Sequence, residues 1–223
     1  MFLGKCSSTI TTPGENINIT WSPDGKTVAV GNRADEISFI DVKKSRVELT
    51  RKYPYEVNEV AYDPSGEYFF VTTGQGTVEI LRTSTMETHR KHFAHTSNCY
   101  TIDFDPKGRF FGVGSADALV SLWDTSEMMC IKTFTNLEWA VRALSINGDG
   151  SMIAMASEDP FIDICNIETG ERIEKIDVKY AINTIAWHPT QNLLAYAGDE
   201  KDRDDYDVGS VKIYGFRSKD MRD

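Results

Sequence analysis

The sequence is poor in cysteine, and its four cysteines, Cys6, Cys99, Cys130 and Cys165, stand far apart. No CxxC pair exists to hold zinc or to frame a disulfide scaffold, so reduced, packed thiols are the expectation. No apolar run approaches the ~18 residues needed to span a bilayer. Met1 to Cys6 lacks a charged stretch followed by a long apolar one, so the chain reads as a soluble intracellular protein with no secretory leader and no membrane partner. Positive charge is also scarce: 24 Lys and Arg stand against 34 Asp and Glu, a net charge of −10. Such a field repels polyphosphate, which argues against direct RNA binding. Arg51, Lys52, Arg90 and Lys91 form the one candidate basic patch, and they read better as a solvated outer strand.

Motifs that carry chemistry are missing too. There is no Gly-x-x-x-x-Gly-Lys phosphate loop and no Gly-x-Ser-x-Gly elbow to expose a nucleophile. His89, His92 and His95 recur every third residue, a spacing that on a strand sends successive side chains to opposite faces and away from a common metal. No catalytic residue, metal ligand or cofactor is expected.

What the sequence has in quantity is repetition. Trp21-Ser-Pro-Asp-Gly25, Tyr62-Asp-Pro-Ser-Gly66 and Phe104-Asp-Pro-Lys-Gly108 are one motif, with weaker copies at Ile146-Asn-Gly-Asp-Gly150 and Trp187-His-Pro-Thr-Gln191. The anchor residues follow one another at intervals of 41, 42, 42 and 41. Each copy runs from a short apolar stretch through a turn into a second strand, predicted at Thr27–Gly31, Tyr68–Thr72, Phe110–Gly114, Met152–Ala156 and Leu193–Ala197. A third strand alternates strictly: Ile37 and Phe39 flank Ser38, Val78 and Ile80 flank Glu79, and Val120 and Leu122 flank Ser121. In the last two copies Ile162 and Ile164 flank Asp163, and Val211 and Ile213 flank Lys212. A more polar fourth strand follows, as at Cys130–Phe134 and Arg172–Val178. Four short strands per ~42 residues is the period of an all-β propeller blade, whose two faces must each be covered by a neighbour. The innermost strand carries a column of mostly small residues, Thr20, Ala61, Asp103, Ser145 and Ala186, with Asp103 expected to face channel water.

In the third copy the sequence Leu122-Trp123-Asp124, with His95 and Asp117 before it, resembles the blades of WD-repeat proteins. The resemblance implies a buried hydrogen-bond chain through His95, Asp117 and Trp123. It also implies a Ser or Thr four residues before the Asp, where Val113 stands, so the chain is expected to be interrupted. The organisation is read as an outer strand of a preceding or ring-closing blade over residues 1–13, with Lys5–Thr12 strand-like. Five WD-repeat blades follow over 14–216, then a disordered tail over 217–223. The last copy holds an insertion of about seven residues within the acidic stretch Asp199–Val208, read as a mobile loop.

Several stretches further resemble one WD-repeat family, subunit 3 of the THO complex of the transcription–export assembly. They are Gly14-Glu-Asn-Ile-Asn-Ile19, Ala29-Val-Gly-Asn32, Ser97-Asn-Cys99, Gly114 to Asp124, Val141-Arg142, Ser157-Glu-Asp159, Phe161-Ile-Asp-Ile164 and Ala186-Trp-His-Pro189. The resemblance implies a nuclear, non-catalytic scaffold that supports messenger RNA processing and export. Its partners would be other THO subunits, in particular the large scaffold subunit, with the messenger ribonucleoprotein reached indirectly. It also implies a seven-bladed ring of which this N-terminally truncated chain supplies about five blades, leaving two raw sheet edges. A WD-repeat adaptor of another assembly, such as a ubiquitin-ligase substrate receptor, is the alternative. For partner binding the candidate residues are Asn58, Tyr100, Arg142 and Asn183, which with Ile17 form a column four residues before each anchor, and Trp139. The column either satisfies inner-strand ends or presents a binding surface, and Trp139 fits either an exposed anchor or a core plug.

Overall fold

The computed structural model describes residues 6, 8–198 and 210–216. Every described element is a strand, and the strands fall into five antiparallel sheets in chain order. The first blade holds β1 (Asn16–Trp21), β2 (Thr27–Asn32), β3 (Glu36–Asp41) and β4 (Arg46–Lys52). The second holds β5 (Val57–Tyr62), β6 (Tyr68–Thr73), β7 (Thr77–Arg82) and β8 (Thr88–Phe93). In the third come β9 (Cys99–Phe104), β10 (Phe110–Ser115), β11 (Val120–Asp124) and β12 (Met129–Phe134). The fourth has β13 (Ala143–Ile146), β14 (Met152–Ala156), β15 (Phe161–Asn166) and β16 (Arg172–Asp177). The fifth has β17 (Ile182–Trp187), β18 (Leu193–Gly198) and β19 (Lys212–Gly215), and its described part is three-stranded. The strands predicted within the five repeat copies are found within a residue or two. The acidic stretch 199–208 and the tail 217–223 lie outside the described residues.

The repeated motif works through its turn. In each blade the residue after the anchor closes the first hairpin with the same backbone bond, from Ser22 N to Thr27 O through to His188 N to Leu193 O. Its side chain also takes up a backbone N–H across the turn: Ser22 accepts from Thr27, Asp63 from Tyr68 and Asn147 from Met152, at 2.7–2.9 Å. Gly25, Gly66, Gly108 and Gly150 end the turn at φ between 68° and 74°, a left-handed conformation that costs an L side chain but not glycine.

Each of the three middle sheets buries one face on the sheet before it and the other on the sheet after. Ala29, Ile37 and Phe39 of the first blade pack on Val60, Tyr62, Phe69, Val71 and Leu81 of the second. The same columns recur onward: Phe70, Val78 and Ile80 meet Ile102, Phe104, Phe111 and Trp123, and Val120 and Leu122 meet Leu144, Ile146, Ile153 and Met155. Ala154, Ile162 and Ile164 meet Ile185, Trp187 and Leu194. At roughly 1.5–3 kcal/mol per buried large apolar side chain, these four interfaces are the core.

The two ends of the series differ. Ile19 and Trp21 are 67% and 56% exposed, and Val211 and Ile213 are 75% and 72% exposed, although their repeat counterparts are buried. The opening segment departs from expectation. Residues 8–13 form no strand; Ile10 lies instead against Val28, Val30 and Ile40 on the free face of the first blade, and the Asn32 amide donates to the Pro13 carbonyl at 2.7 Å. A strand requires a ladder partner, and this segment finds an apolar face to cover instead.

Candidate docking surface at the channel mouth

Inner strands of successive blades are tied to one another by side chains. The Asn18 amide donates to the Asn58 carbonyl at 2.9 Å, and the Asn58 amide to the Cys99 carbonyl at 3.0 Å. Glu59 accepts from Ile102 N and Asp103 from Ile146 N, both at 2.8 Å, and Ser145 accepts from Trp187 N at 3.3 Å. Asp103 is thus engaged by the next blade rather than left to channel water. Burial pushes the Glu59 carboxyl up to about 7 and the Asp103 carboxyl up to about 6, against the hydrogen bonds that favour their ionised forms.

Above these ties the column expected from the sequence converges. Ile17, Asn58, Tyr100, Arg142 and Asn183, one from each blade, line a single cavity of about 220 Å³, so the five inner strands share an axis. Asn58 serves the neighbouring strand end, as one of the two alternatives required. Tyr100 and Arg142 form a pair: the guanidinium carbon sits 4.7 Å from the ring centroid, and Nη2 donates to Glu158 at 3.1 Å.

Trp139 is 58% exposed, which settles its role against a core plug; Leu137, two residues earlier, is the buried side chain of that loop. Trp139 is held in place by its backbone. Asp159, itself buried, accepts from Glu138 N at 3.0 Å, Trp139 N at 3.2 Å and the Ser157 hydroxyl at 2.5 Å. The loop closes onto the strands through Val141 N to Ser115 O and Arg142 N to Ala156 O, each 2.9 Å.

The WD motif of the third blade is complete, contrary to expectation. His95 Nδ1 lies 3.1 Å from both oxygens of Asp117, and His95 Nε2 lies 2.8 Å from Ser121 Oγ, which accepts from Trp123 Nε1 at 2.7 Å. Ser121 stands directly across the ladder from Val113, so the hydroxyl missing at Val113 comes from the paired strand on the same face. His95 Nε2 also lies 3.2 Å from the Val113 carbonyl, so the ring is held through both of its nitrogens. Desolvation opposes ionisation of Asp117, but His95, Ser115, Leu119 and Thr96 outweigh it and hold the carboxyl below its ordinary value. Asp124 works outside this chain, accepting from Ser126 N and Glu127 N, both at 2.9 Å, to close the next hairpin.

Two residues in the same third-strand column were legible only as alternation. Glu79 bonds to Tyr55, to Thr88 at 2.5 Å and to Arg51 at 3.5 Å, and Asp163 bonds to Arg172 and to Asn136 at 2.8 Å. The basic candidates are spent in this way: Arg51 on Glu79, Lys52 on Glu36 at 3.7 Å, Arg90 on the Glu127 carbonyl, and Lys91 over the Tyr55 ring at 4.6 Å. His89 stacks near Tyr68 and His92 near Trp123, so the three histidines serve three separate places. Cys99 and Cys165 are buried, and burial pushes both thiols up to about 12.

Comparison with known proteins places this architecture. A family model for eukaryotic translation initiation factor eIF2A matches residues 4–116, and one for the WD40 domain of anaphase-promoting complex subunit 4 matches residues 133–192. THO complex subunit 3 of Arabidopsis thaliana is 52% identical over 96% of this chain, which covers 69% of that protein. The WD repeat-containing protein AAC3 of Dictyostelium discoideum is 36% identical over 97% of the chain, which spans 46% of its length. The mitotic checkpoint protein bub-3 of Caenorhabditis elegans is 30% identical over 59%. The family models each cover one part of the repeat, whereas the Arabidopsis protein aligns along nearly all of it. The chain is a WD-repeat β-propeller protein and belongs to the THO complex subunit 3 family.

Proposed function

We propose that this chain is a non-catalytic scaffold subunit of a nuclear THO-type assembly, supporting messenger RNA processing and export by holding other proteins. Its partners would be other THO subunits, foremost the large scaffold subunit, with the messenger ribonucleoprotein reached through them. The docking face we assign is the channel mouth carrying Asn58, Tyr100, Trp139, Arg142 and Asn183. One observation carries the assignment: an exposed Trp139 and Arg142 stand on a loop whose backbone is fixed by Asp159 and the adjoining strands, and Arg142 stacks there on Tyr100 of β9. Rigid aromatic and Arg side chains are the types that dominate binding energy at interfaces. The two terminal faces, apolar and exposed, support reading the five blades as part of a larger ring.

The test is affinity purification of the tagged chain from nuclear extract, beside a Trp139→Ala/Arg142→Ala variant with unchanged circular dichroism. Recovery of the large THO subunit by the parent, reduced about thirty-fold in the variant, is expected for loss of a ~2 kcal/mol hot spot. Undiminished recovery by the variant would move the docking face elsewhere. Recovery of a cullin without the THO subunit would replace the reading with a ubiquitin-ligase adaptor.

A further inference from the structure

The outer strands of the four-stranded blades differ in charge. Each is the last strand of its sheet, and charge on an edge strand discourages other chains from associating there. β4 and β16 carry four charged residues each and β8 carries two, whereas β12 carries Lys132 alone. On β12, Met129 is 60% exposed and Ile131 is 48% exposed.

Beside Ile131 the rim between the third and fourth blades opens into a groove of about 590 Å³, with Phe110, Leu122, Ile131 and Ile167 as its apolar lining. Every residue of these two blades is described. At the corresponding place between the second and third blades the rim is filled. His89 stands where Ile131 does, in the bulge of the outer strand. It packs on Tyr68, the repeat counterpart of Phe110, with ring centroids 5.1 Å apart. Ile131 cannot make such a ring contact, and the apolar lining stays open.

The charges around the groove are unequally matched. Arg109 lies over the Phe110 ring at 5.1 Å and pairs with buried Asp105 at 2.6 Å. Asp149 accepts from Ser151 N at 2.9 Å. Lys132 reaches from the third blade to the fourth, donating to the Ile167 carbonyl at 3.1 Å and to the Glu168 carbonyl. Among the described residues it forms no ion pair, with Asp149 and Glu168 included. The two carbonyls fix the ammonium in place, and a carboxylate is the group that would match its charge.

We propose that this groove is a second docking site, which takes an extended segment of a partner protein. The segment seats a large apolar side chain against Leu122 and Ile131 and sets an Asp or Glu on Lys132. The site stands at the Gly-turn end of the blades, beside Asp149 and Gly150. The channel-mouth column stands at the opposite end of the inner strands, so the inference does not depend on that docking face.

The test is selection of a displayed library of random octapeptides on the full chain. An Ile131→Ser/Lys132→Glu variant with an unchanged circular dichroism spectrum serves as counter-target. Enriched peptides are expected to share a large apolar residue and a nearby Asp or Glu. One of them, labelled for anisotropy, should bind the variant at least about ten-fold more weakly, the scale of one charge-assisted contact. Lys132→Glu alone should prefer the same peptide with its acidic residue replaced by lysine. The Trp139→Ala/Arg142→Ala variant should bind as the parent does. The proposal is overturned if no peptide separates parent from counter-target, if the enriched peptides lack a carboxylate, or if Lys132→Glu leaves the preference unchanged. Loss of binding in the channel-mouth variant would also overturn it, by placing the peptides at that face.

Discussion

At the residue scale, the most informative side chain is Ser121. It accepts from Trp123 Nε1 and bonds to His95 Nε2, so its loss leaves the buried Trp123 N–H without its acceptor and removes one of the contacts that hold the His95 ring. Ser121→Ala should destabilise the chain by about 1–3 kcal/mol, read as a lower urea midpoint at unchanged m-value. Because Val113 is its cross-strand partner, Val113→Thr on that background should restore part of the loss. The buried carboxyls make a second prediction. Folding raises Glu59 to about 7 and Asp103 to about 6, so the folded state binds their protons more tightly than the unfolded chain does. Their stabilising contribution is complete below about pH 4 and is lost as pH rises through about 6 and then about 7. Thermal melts at steps from pH 4 to 8 should therefore fall in midpoint from this source. In Glu59→Gln, which keeps an acceptor for Ile102 N, the decline near pH 7 should be smaller.

At the scale of the element, identical repeat positions have opposite tolerances. Ile19 of β1 and Val60 of β5 stand at the same place in successive blades, yet Ile19 is 67% exposed and Val60 is 4% exposed beneath its neighbour. Ile19→Lys should change the unfolding free energy by no more than about 0.5 kcal/mol. Val60→Lys, which drives an unpaired charge into an interface with Phe39, Phe69 and Leu81, should cost more than about 4 kcal/mol. Chemical denaturation of both variants compares them directly, and equal losses would mean that the first sheet's outer face is covered after all. The strands themselves were legible, because alternation of period two and a Gly-terminated turn are local properties. Of the strand-like stretch Lys5–Thr12, the described residues 8–12 form no strand: their composition suits one, but Ile10 covers an apolar face instead.

Across the described residues, the series of faces ends in two exposed apolar surfaces, Ile19 and Trp21 at one end, beside the strip that Ile10 covers, and Val211 and Ile213 at the other. Contiguous exposed apolar surface promotes association. The isolated chain should self-associate with rising concentration, and Ile19→Lys combined with Ile213→Lys should reduce the larger species seen by light scattering. The candidate site was half legible at this scale. The period put Ile17, Asn58, Tyr100, Arg142 and Asn183 in one column, and the axis brought them round one cavity. Trp139 lies outside that metre, and nothing local told a plug from an anchor.

The repeat of 41 or 42 residues, the turn chemistry and the alternation settled the strand order, the number of blades and the acidic surface, since each is written in neighbouring residues. The tertiary structure alone decided which hydroxyl completes the His95–Trp123 chain, where the Asp103 carboxylate finds its donor, and which apolar positions of the first and fifth sheets stay exposed although their repeat counterparts are buried. Those outcomes depend on what stands across a ladder or against a face, and such partners lie 8 residues away, as with Val113 and Ser121, or a whole blade away, as with Asp103 and Ile146, beyond the reach of any local pattern.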